Sequence, residues 1–201
     1  MQDKILFIMP SINRPTITRA VESVLRQRDD RWHLCIVYDK VDEPVFKNSE
    51  KITCINLDKK LGTGHNSAGC VRNVAIDKFM SDYKWIGFID DDDELDKNYV
   101  SLLFNKYSEY DLVIFRMICT HKHDKTEKQI IPPRSWLGFP ANSNTFQPNL
   151  VGISFCFKTP VSTRFIPSRR EDYYFVNNLY KEKEISHVTT EEIGYYVSGV
   201  H

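Results

Sequence analysis

The chain has 201 residues, of which 41% are hydrophobic and 27% charged, the balance of an ordinary globular domain with enough apolar material for a core. Lys plus Arg and Asp plus Glu both number 27, so the formal net charge is zero, which argues against a protein built to clamp polyanions such as nucleic acid. The five cysteines (Cys35, Cys54, Cys70, Cys119, Cys156) are scattered, with no Cys-x-x-Cys pair, and read as buried small hydrophobes in a reducing compartment.

Ile5 to Met9 is a continuous apolar run ended by Pro10, the pattern of a strand buried on both faces. Ile17, Ala20, Val21, Val24 and Leu25 then repeat at helical spacing behind Pro15. Leu34 to Tyr38 predicts a second buried strand ending at Asp39, and Ile52 to Leu57 a third, followed by a Gly-containing loop. A second helix carries Val71, Val74, Ala75 and Phe79, with Asn66 or Ser67 as its cap, and Arg72 is expected to point away from the core centre. Trp85 to Ile89 predicts a fourth strand running straight into Asp90-Asp91-Asp92-Asp93-Glu94, and Asp96 caps a third helix bearing Tyr99, Leu102, Leu103 and Tyr107. Alternating strands and helices mean parallel strands with right-handed crossovers, whose ligands sit beyond the strands' carboxyl ends. Asp39 and Asp90 lie at those ends.

Beyond Leu112 the pattern loosens: a strand to about Ile118, a strand from Val151 to Phe157, a polar helix from about Glu171, and a last strand from Ile193 to Val197. The reading is one domain over 1–201, with a nucleotide-binding half to about 110 and an acceptor-binding half from about 111. The apolar stretch Ile5 to Met9 is too short for a signal-peptide core. The longest uncharged stretch, Ser135 to Phe157, holds Asn, Gln, Ser and Pro throughout and is no membrane span. A cytoplasmic protein is expected.

Consecutive aspartates at a strand end repel one another unless solvent or a cation relieves them. Hard divalent cations take oxygen ligands, so Mn²⁺ or Mg²⁺ is the natural partner. A solvated turn and helix cap is the bland alternative, and a phosphoryl hydrolase or a divalent-ion-dependent carbohydrate-binding module could use such a cluster too.

Phe88-Ile89-Asp90-Asp91-Asp92-Asp93-Glu94-Leu95 resembles the Asp-x-Asp segment of the GT-A fold glycosyltransferases, especially the large inverting family typified by bacterial polysaccharide synthases. Ile8-Met9-Pro10-Ser11-Ile12-Asn13-Arg14 with Ala20 to Gln27 is similar to that family's opening strand and first helix. Gly69-Cys70-Val71-Arg72-Asn73 matches its Ala-Arg-Asn helix in the Arg and Asn, and Glu171-Asp172-Tyr173 its Glu-Asp-Tyr segment. As a whole the chain also resembles small glycosyltransferases encoded by chlorella viruses, which would put it in a host cytoplasm. The resemblance implies a Rossmann-like α/β fold, a mixed, mostly parallel central sheet flanked by helices. It implies transfer of a hexose from a UDP-sugar, UDP-glucose being the commonest, to a glycan or glycoprotein hydroxyl.

It implies site residues as well. Asp90 falls near the donor ribose and Asp92 on the metal, a split that suits two carboxylates facing one side of an extended chain. Asp91 belongs to the donor-binding set by its place in the motif, although by residue type it and Asp93 read as solvated or capping. Asp39 falls against the uracil, Pro10 and Ser11 offer backbone groups to the base, Arg14 reaches the base or the phosphates, and Arg72 lies beside the phosphates. Asp172 is the general base, kept ionised by its helix N-terminus and by Arg169 and Arg170. His201 is a candidate further metal ligand. His121 and His123 sit in a Lys- and Asp-rich context that favours a solvated loop, and Trp136, Phe139, Asn142 and Asn144 are candidate acceptor contacts. Two rivals lose ground on the residues: dehalogenase-like hydrolases put their Asp-x-Asp after the first strand, where this chain has Pro10-Ser11-Ile12, and sugar nucleotidyltransferases open with a Gly-rich loop, whereas the first glycine here is Gly62.

Overall fold

The computed structural model describes residues 1–62, 68–120, 128–137, 147–148, 150–182 and 185–198. The apolar run Ile5 to Met9 lies fully buried inside β1 (Gln2–Ser11). The helical stripe forms the inner side of α1 (Ile17–Leu25), where Ile17, Ala20, Val21 and Val24 are buried and only Leu25, at the end, is exposed. Then come β2 (Trp32–Tyr38), β3 (Ile52–Asn56), α2 (Gly69–Phe79) and β4 (Tyr83–Phe88). β1 pairs in parallel with β2 and with β4, and β2 in parallel with β3, as the alternating pattern requires.

The second half begins with the two-residue β5 (Glu94–Leu95) and the short α3 (Tyr99–Leu102), which widens into a π turn over Leu103–Tyr107. Asp96 prepares that helix by accepting the Asn98 N–H on its Oδ1 at 2.8 Å. β6 (Leu112–Thr120), β7 (Lys128–Ile131), β8 (Phe155–Lys158), α4 (Glu171–Glu182) and β9 (His187–Val197) follow. The sheet runs in the order β3-β2-β1-β4-β8-β6-β9-β5, with β7 paired to β6. β8 lies antiparallel between β4 and β6, while β9 runs parallel to β6, so the sheet is mixed but mostly parallel. Helices flank it, and this is the GT-A arrangement that the resemblance implied.

Four elements differ from expectation. The strand expected from Val151 begins only at Phe155: at Ser154 the hydroxyl donates to the Phe115 carbonyl at 2.6 Å while the Ser154 carbonyl accepts the Phe115 N–H at 3.2 Å, so a side chain takes one side of the ladder's last rung. The final strand begins at His187, six residues before Ile193, since β6 offers it a long parallel edge. β5 and β7 are too short to carry a periodic signal.

An aromatic cluster sets the position of α4. The Phe175 ring lies 4.4 Å from that of Phe165, which in turn meets Phe88 edge-on at 5.2 Å. Offset and edge-on rings at such distances add to the burial itself. They dock α4 so that its first turn, Glu171 and Asp172, reaches the carboxyl end of β4. Among the described residues no helix is long and apolar enough to cross a membrane.

Candidate active site

The carboxyl ends of β1, β2 and β4 enclose a cavity of about 290 Å³. Pro10, Ser11, Arg14, Asp39, Asp90, Asp91 and Asp92 all line it, together with Ile12, Lys60, Gly62, Ala68 and Val71. Asp39 is buried, and its two oxygens accept the Leu61 N–H at 2.6 Å and the Gly62 N–H at 2.9 Å. The Asp39 N–H in turn donates to the Ser11 carbonyl at 2.8 Å, which locks the ends of β1 and β2 together.

The acidic segment does not continue as an extended chain. The Asp93 N–H donates to the Asp90 carbonyl at 3.2 Å, closing a turn. Alternation therefore fails, and Asp91 and Asp93, expected to be solvated, are only 3% and 5% exposed. Asp91 accepts the Ser11 hydroxyl at 2.7 Å and the Arg14 Nη1 at 3.1 Å, and Asp92 accepts the same nitrogen at 2.9 Å. Asp93 accepts the Ser198 N–H at 3.0 Å, and the Asp90 N–H donates to the Tyr195 hydroxyl at 3.0 Å, so the end of β9 lies against the turn.

One oxygen each of Asp90, Asp92 and Asp93 lies within 4.8 Å of the others, a cluster able to hold a metal ion. Burial, and then repulsion from Asp90 and Asp92, pushes the Asp93 carboxyl up to about 8, against the lowering effect of the Ser198 N–H. Carboxylate oxygens are hard ligands, of the kind that Mg²⁺ and Mn²⁺ take.

Arg72 corrects a second expectation. It lies not on the outer side of α2 but in the interior, with 2% of its side chain exposed. Its Nη1 donates to Glu171 Oε1 at 2.6 Å and its Nη2 to Asp90. The guanidinium packs 5.3 Å from the Phe165 ring centre. It stands behind Asp90, away from the lining of the cavity. Glu171, to which the sequence assigned no role, completes the group by accepting the Gly69 N–H at 3.0 Å. Gly69 is required there, because a Cβ would come within 2.6 Å of both Glu171 Oε2 and Phe165 Cβ.

Asp172 sits one residue on, and its Oδ1 is buried without a hydrogen-bond partner. The helix end was expected to keep it ionised. Instead burial raises its carboxyl to about 7, with Asp90 and Glu171 adding to the rise and Arg72 opposing it. Desolvation outweighs one nearby cation. Of the remaining candidates Trp136 is buried, while His121, His123, Phe139, Asn142, Asn144 and His201 lie outside the described residues, as do the expected helix caps Asn66 and Ser67. Asp93, Glu171, Tyr195 and Ser198 are the residues that sequence reasoning missed. Only Glu171 left a trace, since a helical arginine that turns inward needs an acidic partner.

A family model described as Glycosyl transferase family 2 matches residues 6–162. The chain belongs to that family. Its domain is a glycosyltransferase domain of GT-A fold. No curated protein matches the chain in sequence. Among solved structures, S. aureus TarS residues 1–349 superposes with a TM-score of 0.76 at 16% identity, over 97% of this chain and 60% of that one. The same protein in complex with UDP-GlcNAc gives 0.75 at 17% identity, over 96% of this chain and 58% of that one, and in complex with UDP 0.72 at 16%. The family-2 chain thus spans about 60% of the length of the structures it matches, and the likeness is one of fold.

Proposed function

We propose that this family-2 domain transfers a hexose from a UDP-sugar to a hydroxyl of a glycan or glycoprotein, with Mn²⁺ or Mg²⁺ as cofactor. The observation that carries the reading is the meeting, at one cavity, of Asp90 and Asp92, two members of the Asp90–Asp92–Asp93 cluster, with Asp39 and the Pro10–Ser11 strand end. The uridine nucleotides in the TarS complexes support the choice of nucleotide. UDP-glucose is the first donor to test and UDP-GlcNAc the second.

Asp90, Asp92 and Asp93 would hold the cation, which supplies stabilisation of the negative charge that gathers on departing UDP. His201 is proposed as a further ligand, since Ser198, three residues earlier, is bonded to Asp93. Asp39, already fixed by two backbone N–H groups, has lone pairs left to accept the uracil N3–H. Cytosine lacks that proton and guanine has a comparable one. Asp90 would accept the ribose hydroxyls while Arg72 steadies it from behind, so Arg72 serves the phosphates only indirectly. Arg14, at the cavity mouth, would meet the diphosphate.

Asp172 is proposed as the base. The acceptor oxygen bonds to the anomeric carbon, the bond from that carbon to the diphosphate breaks with its electrons leaving on UDP, and the acceptor proton passes to Asp172. A carboxylate whose pKa lies near 7 is well matched to that transfer. Thermal-shift measurements with UDP, GDP and CDP, each in Mn²⁺ and in EDTA, test the binding half of the reading, because a ligand selective for the native state raises apparent stability. UDP and GDP should stabilise in Mn²⁺ only, and CDP little. Equal stabilisation by UDP in EDTA would remove the metal. Release of UDP from a UDP-sugar in the presence of acceptor separates a transferase from a carbohydrate-binding module.

A further inference from the structure

Arg14 stands where a cation would. Its Nη1 lies 3.1 Å from Asp91 Oδ1 and 2.9 Å from Asp92 Oδ2, so a single nitrogen bridges neighbouring carboxylates. The two partners are not equivalent. Asp91 also accepts the Ser11 hydroxyl at 2.7 Å, and its carboxylate is committed to the protein. Asp92 instead belongs to the trio whose oxygens lie within 4.8 Å of one another. The arginine itself is free to move: it sits between β1 and α1, and 40% of its side chain is exposed. Arg72, buried between Asp90 and Glu171, has no such freedom.

We infer that Arg14 is the resting counter-ion of the cation site and must release Asp92 before a divalent ion can take that carboxylate. The inference rests on reading Asp92 as a metal ligand. A guanidinium and a divalent cation on one carboxylate repel each other strongly in a site this sheltered from water. Asp91 supplies the means of exchange, since an Arg14 that gives up Asp92 keeps one anchor and presents its remaining N–H groups to the cavity. A diphosphate entering there draws the guanidinium away by paired charge-assisted hydrogen bonds. Nucleotide then opens the site to the ion. By linkage the ion strengthens nucleotide binding by the same factor, and the site without nucleotide holds a cation weakly.

The test is Mn²⁺ binding to the full chain, followed by the loss of the free-ion electron paramagnetic resonance signal, with and without UDP. Arg14→Gln is compared with Arg19→Gln. Arg19 donates to the Asp92 backbone carbonyl at 2.7 Å and pairs with Glu94 at 3.2 Å, so its removal deletes a nearby charge without touching the Asp92 carboxylate. Without UDP, Arg14→Gln should bind Mn²⁺ about tenfold more tightly than the unaltered chain, the scale of one charge-assisted hydrogen bond, and Arg19→Gln should gain distinctly less. UDP should then strengthen Mn²⁺ binding less in Arg14→Gln than in the unaltered chain. Equal gains from the two substitutions, or no gain from Arg14→Gln, would overturn the exchange while leaving the metal site standing. Failure of all three proteins to bind Mn²⁺, with or without UDP, would overturn the metal reading and the exchange with it.

Discussion

Arg72→Met removes the buried charge while keeping much of the side chain's volume beside Phe165 and Phe88. It leaves Asp90, Glu171 and Asp172 together without their central cation. Breaking a buried pair in this way costs about 3–5 kcal/mol, since the abandoned charges remain desolvated. The two halves of the loss are unequal: Glu171 is 14% exposed and forfeits most, whereas Asp90 is 34% exposed and water screens part of its share. Urea unfolding followed by tryptophan fluorescence reads the total. With a slope of roughly 2 kcal/mol per molar, the midpoint at neutral pH should fall by about 2 M. Acid should restore much of it. Glu171 and Asp172 are already raised by burial, and losing Arg72 raises both further, so they take up protons more readily as the pH falls and the repulsion lifts. A midpoint shift below about 0.5 M, or one as large at pH 5 as at pH 7.5, would refute the account of Arg72 as the neutraliser of a buried acidic group.

Three other perturbations have definite outcomes. Asp172→Asn should preserve UDP affinity and lose most of the transfer rate; in the unaltered chain kcat/KM should climb as pH rises through about 7, and NMR of the product from an α-linked donor should show a β linkage, a retained α linkage being fatal to the base assignment. Asp39→Ala should weaken UDP by about ten- to a hundredfold while leaving pyrophosphate less affected, as calorimetry would read, because it deletes a charge-assisted acceptor for the base and loosens Leu61 and Gly62. The folded pKa values of Asp93 and Asp172, about 8 and about 7, lie above the ordinary 3.8, so the folded state holds the extra protons in that window and stability in EDTA should decline from pH 5.5 to pH 8. Glu182 and Glu192, whose values are lowered, act below that range, while His33 and His187, lowered from 6.5 by burial, oppose the decline at its acid end. A melting temperature higher at pH 8 than at pH 5.5 in EDTA would contradict this, and Mn²⁺ should flatten the decline.

What the sequence made legible is the part where one physical term dominates. Ile5 to Met9, Leu34 to Tyr38 and Trp85 to Phe88 hold no charged side chain and are apolar but for the Tyr38 hydroxyl and the Trp85 indole N–H, and each became a strand buried on both faces. Asp39 and Asp90 followed at the strand ends, where parallel sheets put their ligands. The acidic segment was less legible because the Asp93-to-Asp90 backbone hydrogen bond turns an alternating row into a convergent one, and contacts from the end of β9, 105 residues on, hold it there. Arg72 was misjudged for a related reason. Helical periodicity sorts residues by hydrophobicity, and a charged residue moves inward only when a partner far along the chain awaits it, here Glu171 at a separation of 99 residues. The electrostatics of Asp172 lay beyond any local rule, since they are set by burial and by Arg72 and Asp90, both far along the chain.

The hold of β9 on the acidic turn has a consequence in time as well as in space. The Asp90–Tyr195 and Asp93–Ser198 contacts each close a separation of 105 residues, so the acidic turn is completed only after β9 has been made. At a synthesis rate of about 5–20 residues per second, a nascent chain spends roughly 5–20 s with its aspartates made and their fastening not yet translated. Through that interval the strands β1, β2 and β4 can pair, but the carboxylates have no Tyr195 hydroxyl or Ser198 N–H to gather them. On the proposed reading, competence to bind a cation then waits for β9. Chains stalled before Tyr195 should fail to quench a Mn²⁺ signal that chains stalled well past Ser198 extinguish.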